Sequence, residues 1–283
     1  MFALIGIAVV FIGIIAGYLL EHGNLHVLIQ PAELVIIGGA AIGAMMATCT
    51  PSVFFKILKG APKVLLKPSP NKKAYMSLLS LLFSIFSKIK KEGLLAVEGD
   101  IEEPMKSPLF RNHPDILKNH HAIDFICDNL RVFVVGIKPM DMDDMMEVEL
   151  EAHHEETAIP YTIIAKISDS LPGFGIVAAV LGVVITMGKM SESPEVIGHS
   201  VAAALVGTFL GILLCYGFLG PISSHMELKG KEEAKYFQAI KVAILAFAKD
   251  FPPQMAVEAG RRVLFSDTKP SFKELETAIR KKK

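Results

Sequence analysis

Residues 170–188, SLPGFGIVAAVLGVVITMG, and residues 196–226, VIGHSVAAALVGTFLGILLCYGFLGPISSHM, decide the fold. Crossing roughly 30 Å of hydrocarbon takes about 20 apolar residues, each adding 1.5 Å of helix. Both stretches meet that demand without an Asp, Glu, Lys or Arg, and residues 201–218 are the most apolar part of the second. Upstream, residues 1–20 and 34–55 are equally free of charge, with Pro51 set to end the second helix near Thr50. Residues 74–87 are uncharged as well, but 14 residues with lysines at both ends are too few for a span and read as the buried helix of a water-exposed region. The first run has no Lys or Arg before Glu21, so it lacks the basic start of a secretory leader and reads as a retained anchor.

Composition agrees with this pattern. Apolar residues make up 52% of the 283 and charged residues 20%, against about 25% charged in an ordinary soluble domain. Lys plus Arg equals Asp plus Glu, 29 each, so there is no basic excess to displace counterions from a nucleic acid. Cys49, Cys127 and Cys215 are far apart, which excludes both a zinc ribbon and a disulfide framework. Of the 29 cations, 15 lie between the second and third runs and 13 follow the fourth, while residues 21–33 carry none. The excess of Lys and Arg on the cytoplasmic side of membrane proteins then places both termini in the cytoplasm. The expected architecture is an all-α integral membrane protein with four transmembrane helices (1–20, 34–50, 170–188, 198–221), a helical cytoplasmic domain (51–169) and a cytoplasmic tail (222–283).

Few motifs carry chemistry. Gly173 to Ala178 spells the dinucleotide pattern GxGxxA, but Pro172 precedes it and a span continues from it, so the required strand and aqueous phosphate site are missing. His120/His121 and His153/His154 are adjacent pairs, and neighbours on a helix point about 100° apart, so a solvated helix face is expected rather than a metal site. No catalytic constellation is present, and neither cofactor nor metal is expected. Gly13/Gly17, Gly39/Gly43 and Gly207/Gly211 have the four-residue spacing that lets helix backbones approach closely. No span has an acidic or basic residue near its centre, where such a group would mark an ion path. Polar groups reduce to the hydroxyls of Thr186 and Thr208, and a threonine in a span can simply bond back to its own helix. A chain of this kind is expected to need an acidic group from another chain in order to conduct.

Residues 171–180, LPGFGIVAAV, with Gly182-Val183-Val184, and residues 206–214, VGTFLGILL, resemble the flagellar stator proteins of the MotA/TolQ/ExbB proton channel family. The likeness extends to Gln30-Pro31-Ala32-Glu33-Leu34-Val35-Ile36, to Glu98 with Asp100-Ile101-Glu102, and to residues 256–261, AVEAGR. It implies a multi-pass protein of the bacterial cytoplasmic (inner) membrane that self-associates, as a pentamer, around a MotB-like single-span partner holding a membrane aspartate. Ion flux would then drive torque on the rotor protein FliG. The family also implies roles for particular residues. Pro172, Ala179, Thr208 and Pro221 match ion-pathway and gating positions, and Lys90 and Glu98 match the rotor contact, with Lys88 and Lys91 beside Lys90. For the prolines, a plain helix start and stop is the competing reading; for Lys90 and Glu98 it is a solvated charge run. Sodium-driven relatives tend to have threonine where this chain has Ala179 and Gly207, so H+ is expected as the coupling ion rather than Na+. The nearest alternative is an ExbB/TolQ-type energiser of outer-membrane processes, which has three spans.

Overall fold

Helix ends in this chain are written by short polar side chains and glycines. Asn71 accepts a hydrogen bond from the Ala74 amide (3.0 Å) and Asn119 one from the Ala122 amide (3.4 Å), satisfying donors that a helix start leaves open. Gly136 closes the helix that Asn119 opens, at φ 92° and ψ 28°, a left-handed geometry that costs glycine little. The computed structural model describes residues 2–66 and 68–280. In chain order the helices are α1 (Phe2–Leu20), α2 (Leu25–Leu28), α3 (Pro31–Thr48), α4 (Pro51–Leu66), α5 (Lys72–Glu92), α6 (Glu98–Glu102), α7 (Pro108–Arg111), α8 (Pro114–Leu117), α9 (His120–Val135), α10 (Pro139–Met187), α11 (Pro194–Leu214), α12 (Gly220–Ala248), α13 (Pro253–Arg262) and α14 (Phe272–Arg280). A single 3₁₀ turn, Leu94–Val97, follows α5, and one π turn, Cys215–Leu219, joins α11 to α12. No strand occurs among the described residues.

Four stretches are long and apolar enough to cross a membrane: Phe2–Leu20, Leu25–Thr48, Pro139–Met187 and Pro194–Ala248. The last two are longer than the uncharged runs of the sequence because prolines expected to bound helices lie inside them. Pro160 and Pro172 sit within the 49 residues of α10, and Pro221 follows directly on the π turn. Proline removes one main-chain donor and crowds the preceding turn. The π turn absorbs that defect at Pro221, since the Gly220 amide bonds the Cys215 carbonyl, five residues back instead of four. Pro51, expected as a stop, occupies the start of α4, where its missing N–H costs nothing.

The chain divides into two compact units. The first comprises residues 1–67 and 157–229. Its packing centres on Ile7, Met45, Ile57, Ile163, Ile164, Ile167, Ile222 and Met226, and on Ile37, Leu171, Ala178 and Cys215. Phe2, Ile12, Val35, Val184, Ile185 and Leu205 remain exposed, an apolar exterior suited to lipid or to further membrane helices.

The second unit comprises residues 68–156 and 230–283 and has the core of a soluble domain. Helix α5, the uncharged stretch too short to span, buries Tyr75, Leu78, Leu79, Leu82 and Phe86, with Phe86 stacked on Phe247 at 4.4 Å. Ile126 and Leu130 of α9, Ile240 and Ile244 of α12, Val257 of α13 and Leu275 of α14 complete it. Ion pairs pin its edges. Lys88 bonds Asp100 (2.7 Å), which also accepts from Ser107 (2.6 Å), and buried Lys241 pairs with Asp143 (2.7 Å) and with Glu147. Glu258 is buried beneath Arg261 (2.7 Å) and Arg262 (3.0 Å). Hydrogen bonds from Arg261 hold the Glu258 carboxyl below its ordinary value of 4.5. A carboxylate with a depressed folded pKa adds stability above the unfolded value, and that contribution is lost as pH falls through the folded one. Thermal unfolding of the purified full chain should therefore fall in temperature as pH drops below 4.5. Glu258→Gln should cost about 1–3 kcal/mol at neutral pH and flatten that acid slope; an unchanged slope would remove Glu258 from the account.

Candidate functional site

One face of α10 and one face of α11 are made for contact of backbone on backbone. Along α10, Ser168, Leu171, Gly175, Ala178, Gly182 and Thr186 recur every three or four residues; along α11 and the π turn, Ala204, Gly207, Gly211 and Cys215 do the same. The two faces meet antiparallel. A Cβ at Gly175 would lie 2.8 Å from the Gly207 carbonyl oxygen and 3.1 Å from Gly211 Cα, and one at Gly211 would lie 2.6 Å from the Leu171 carbonyl oxygen. Only hydrogen fits at these positions. Of the three glycine pairs singled out by spacing, Gly207/Gly211 thus makes a close contact within the chain, whereas Gly13/Gly17 and Gly39/Gly43 have nothing within 4 Å. Gly175, the partner of both α11 glycines, has no four-residue mate and escaped that search.

At the proline level one hydroxyl stitches α10 to the π turn beyond α11 and a second stitches it to α12. Ser168 Oγ donates to the Cys215 carbonyl (3.1 Å) and Ser223 Oγ to the Tyr161 carbonyl (2.8 Å). The Cys215 carbonyl thereby accepts both the π-turn amide and a side-chain hydroxyl, which anchors the bulge. Pro172 and Pro221 are half-buried and lie within continuous helix, so the start-and-stop reading of them does not hold.

Further along the seam lies a carboxyl. Glu33, in the first turn of α3, is only 7% exposed, and its Oε2 has no hydrogen-bond partner. A Cβ at Gly207 would stand 2.6 Å from that Oε2, 3.1 Å from Ala178 Cβ and 3.2 Å from Ala179 N, and one at Gly182 would stand 3.5 Å from Glu33 Oε1. The side chain fills a slot between Ala178, Ala179 and Gly182 of α10 and Ala204 and Gly207 of α11. A titratable side chain is thus buried at the edge of a run that is itself uncharged. Pro31 starts α3 three residues before the uncharged run does, and Glu33 enters with it. Ala179 and Thr208 are half-buried along the same two helices, Ala179 N being 3.2 Å from a Cβ built on Gly207 and Thr208 Cα 3.3 Å from one built on Gly175. Thr48, Thr162 and Thr186 bond the carbonyl four residues back; among the described residues Thr208 makes no such bond. Its hydroxyl is available.

The charges of the expected rotor contact fall in the second unit. Lys90 is exposed in the last turn of α5 and Glu98 exposed in the first turn of α6, each at the helix end whose dipole favours its sign. Lys91 is exposed beside Lys90, but Lys88 is committed to Asp100 and is not a free surface charge. His121 and His153 come together from α9 and α10 with ring centroids 5.8 Å apart, and His153 packs on Phe237 at 4.8 Å. His153 is half-buried, and that burial pushes its imidazole below its ordinary pKa, whereas His120, His121 and His154 are exposed. Among the described residues no three His, Cys, Asp or Glu side chains group as a metal site.

Residues 4–93 match the family described as motility protein A N-terminal, and residues 117–239 match the MotA/TolQ/ExbB proton channel family. Motility protein A of Salmonella typhimurium is 39% identical over 281 residues, covering 99% of this chain and 95% of that one. The chain belongs to the motility protein A family. Motility protein A of Escherichia coli is 40% identical with the same coverage, and chemotaxis protein LafT of Vibrio parahaemolyticus is 34% identical over 96% of each chain. The fold is that of two solved complexes: C. jejuni MotAB (TM-score 0.78, 19% identity, 94% of this chain and 96% of that) and the flagellar MotAB stator complex of Bacillus subtilis (TM-score 0.75, 24% identity, 97% and 98%). As a family member the chain is a motility protein of the proton channel class, not an enzyme, and a multi-pass protein of the inner membrane. The seam is open to test. Gly211→Ala, which drives a methyl into the Leu171 carbonyl, should cost about 1–3 kcal/mol of stability and lower the yield of folded protein. Gly198→Ala, with nothing within 4 Å, should leave thermal stability unchanged or raised.

Proposed function

We propose that this chain is the torque-generating, membrane-embedded half of a flagellar stator, working with a MotB-like single-span partner that brings a membrane aspartate. The observation that carries this reading is the α10–α11 seam, in which Ala179, Thr208 and Gly207 line one small-residue contact inside a chain that matches motility protein A along almost its full length. Such a seam can shift by small amounts without unpacking large side chains. Pro172 and Pro221 stand at one end of it, and Pro221 follows a π turn, the kind of local helix defect at which helices bend. Each elementary charge moving through 100 mV releases about 2.3 kcal/mol, enough per ion to drive such a shift repeatedly.

In this reading copies of the chain form a ring, of five subunits, around the partner. Both termini and residues 68–156 and 230–283 are cytoplasmic, on the side where the cations gather. Lys90 and Glu98 press on the rotor protein FliG; both are exposed, and among the described residues neither forms an ion pair, which leaves their charges free to do so. Protons are the coupling ion, because Ala179 and Gly207 offer no hydroxyl to replace a sodium hydration shell. The match of residues 4–93 to the motility protein A N-terminal family favours this over an ExbB/TolQ-type energiser.

Expressed with its MotB-like partner in a motile bacterium lacking its own stator genes, the chain should restore swimming in sodium-free medium. The double reversal Lys90→Glu/Glu98→Lys should sharply reduce swimming while the two chains still co-purify from membranes. Undiminished swimming of that variant would remove both residues from the contact, and swimming that stops without sodium at constant proton-motive force would overturn the proton assignment.

A further inference from the structure

Glu33 is the feature that the stator reading, resting as it does on an acid from another chain, leaves without a task. Its carboxyl is buried to 7% exposure, Oε2 has no partner, and the slot around it is built from hydrogen and methyl groups. From α10 it faces Ala178, Ala179 and Gly182, and from α11 Ala204 and Gly207; none of these titrates. The titratable side chains toward the same ends of the helices, Glu21, His22, His26, Glu192, Glu195 and His199, are exposed, and Tyr18 at the end of α1 and Lys189 in the link after α10 are half-buried. A carboxylate in such surroundings has neither a cation nor a donor to offset its lost hydration, and a buried charge without those is strongly disfavoured.

The slot also discriminates between ions. Sodium gives up its hydration shell only to several oxygens arranged around it. Here the hydroxyl of Thr186 on α10 is spent on the Gly182 carbonyl (2.8 Å), and Ala178, Ala179, Gly182, Ala204 and Gly207 carry no side-chain oxygen. A proton needs a single oxygen. The length of Glu33 matters too, because its Oε2 stands 2.6 Å from where a Cβ at position 207 would be, so the carboxyl and a side chain at 207 exclude one another.

We propose that the Glu33 carboxyl is a proton-binding site of the ion route within this chain, in a slot whose lining offers no further side-chain oxygen for a dehydrated sodium ion. The proposal rests on the stator reading for the route, but not for the protonation of the carboxyl, and the two can be tested separately. The full complex with the MotB-like partner, reconstituted in phosphatidylethanolamine and phosphatidylglycerol liposomes, is examined by pH-difference infrared spectroscopy. A protonated-carboxyl C=O band that titrates with pH, is unmoved by exchanging potassium for sodium, and disappears in Glu33→Gln is expected. Gly207→Ala should shift the same band by displacing the carboxyl. Glu33→Ala/Gly207→Ala should restore the folded yield without the band, which separates packing from protonation. In the stator-deleted host, Glu33→Gln should shift the curve of swimming speed against external pH relative to wild type.

A band that persists in Glu33→Gln, a band that moves with sodium at fixed pH, or superimposable speed curves for Glu33→Gln and wild type would each overturn the proposal. Failure of the wild-type pair to restore swimming would instead overturn the stator reading, with the infrared result still deciding whether Glu33 binds a proton.

Discussion

The contact of Gly175 with Gly207 and Gly211 is the constraint on which the membrane unit depends. Helices in lipid gain nothing by burying apolar surface against one another, since the tails are as apolar as leucine, and they associate through close packing and a few polar bonds. Removing Cβ at three positions brings two backbones together, and that approach sets the rest. It places Ser168 within reach of the Cys215 carbonyl, lets Ala178 and Ala204 pack inside the seam, and leaves a slot just large enough for one carboxyl. The prolines fit the same scheme. Pro221 is tolerated because the π turn before it has already changed the hydrogen-bond register.

Much of this was legible in the amino-acid sequence, and the rest was hidden for identifiable reasons. Four uncharged runs announced four spans because a hydrocarbon core is intolerant of charge. Gly207 and Gly211 announced themselves by spacing. Gly175 did not, because its partners lie on another helix. Glu33 was missed because a charged residue was taken as the edge of a span, whereas Pro31 starts the helix earlier and turns the carboxyl inward. The pairing of Lys88 with Asp100 depends on the chain doubling back after Gly93, which no local periodicity records. Of the residues assigned by likeness, Ala179 and Thr208 lie along the seam, while Lys90 and Glu98 sit at two neighbouring helix ends with their charges in solvent.

The two units use opposite physics. Residues 68–156 and 230–283 bury aromatic and branched side chains such as Phe86 and Phe247 and fasten them with Arg–Glu and Lys–Asp pairs, as a domain in water does. The membrane unit spends its small residues inside and its large apolar ones outside. Helices α10 and α12 contribute residues to both units, so each continuous helix links a lipid-adapted surface to a water-adapted one.

The central claim is that the α10–α11 seam holds one carboxyl in a buried slot and offers no continuous polar route of its own, so ions cross only when an acidic companion joins it. Proton uptake into liposomes under an imposed membrane potential tests this most directly. The chain reconstituted alone should leave the vesicles as tight as empty ones, and flux should begin when the single-span partner, freed of any segment that plugs the complex, is present. Steady proton leak through the chain alone would contradict the account.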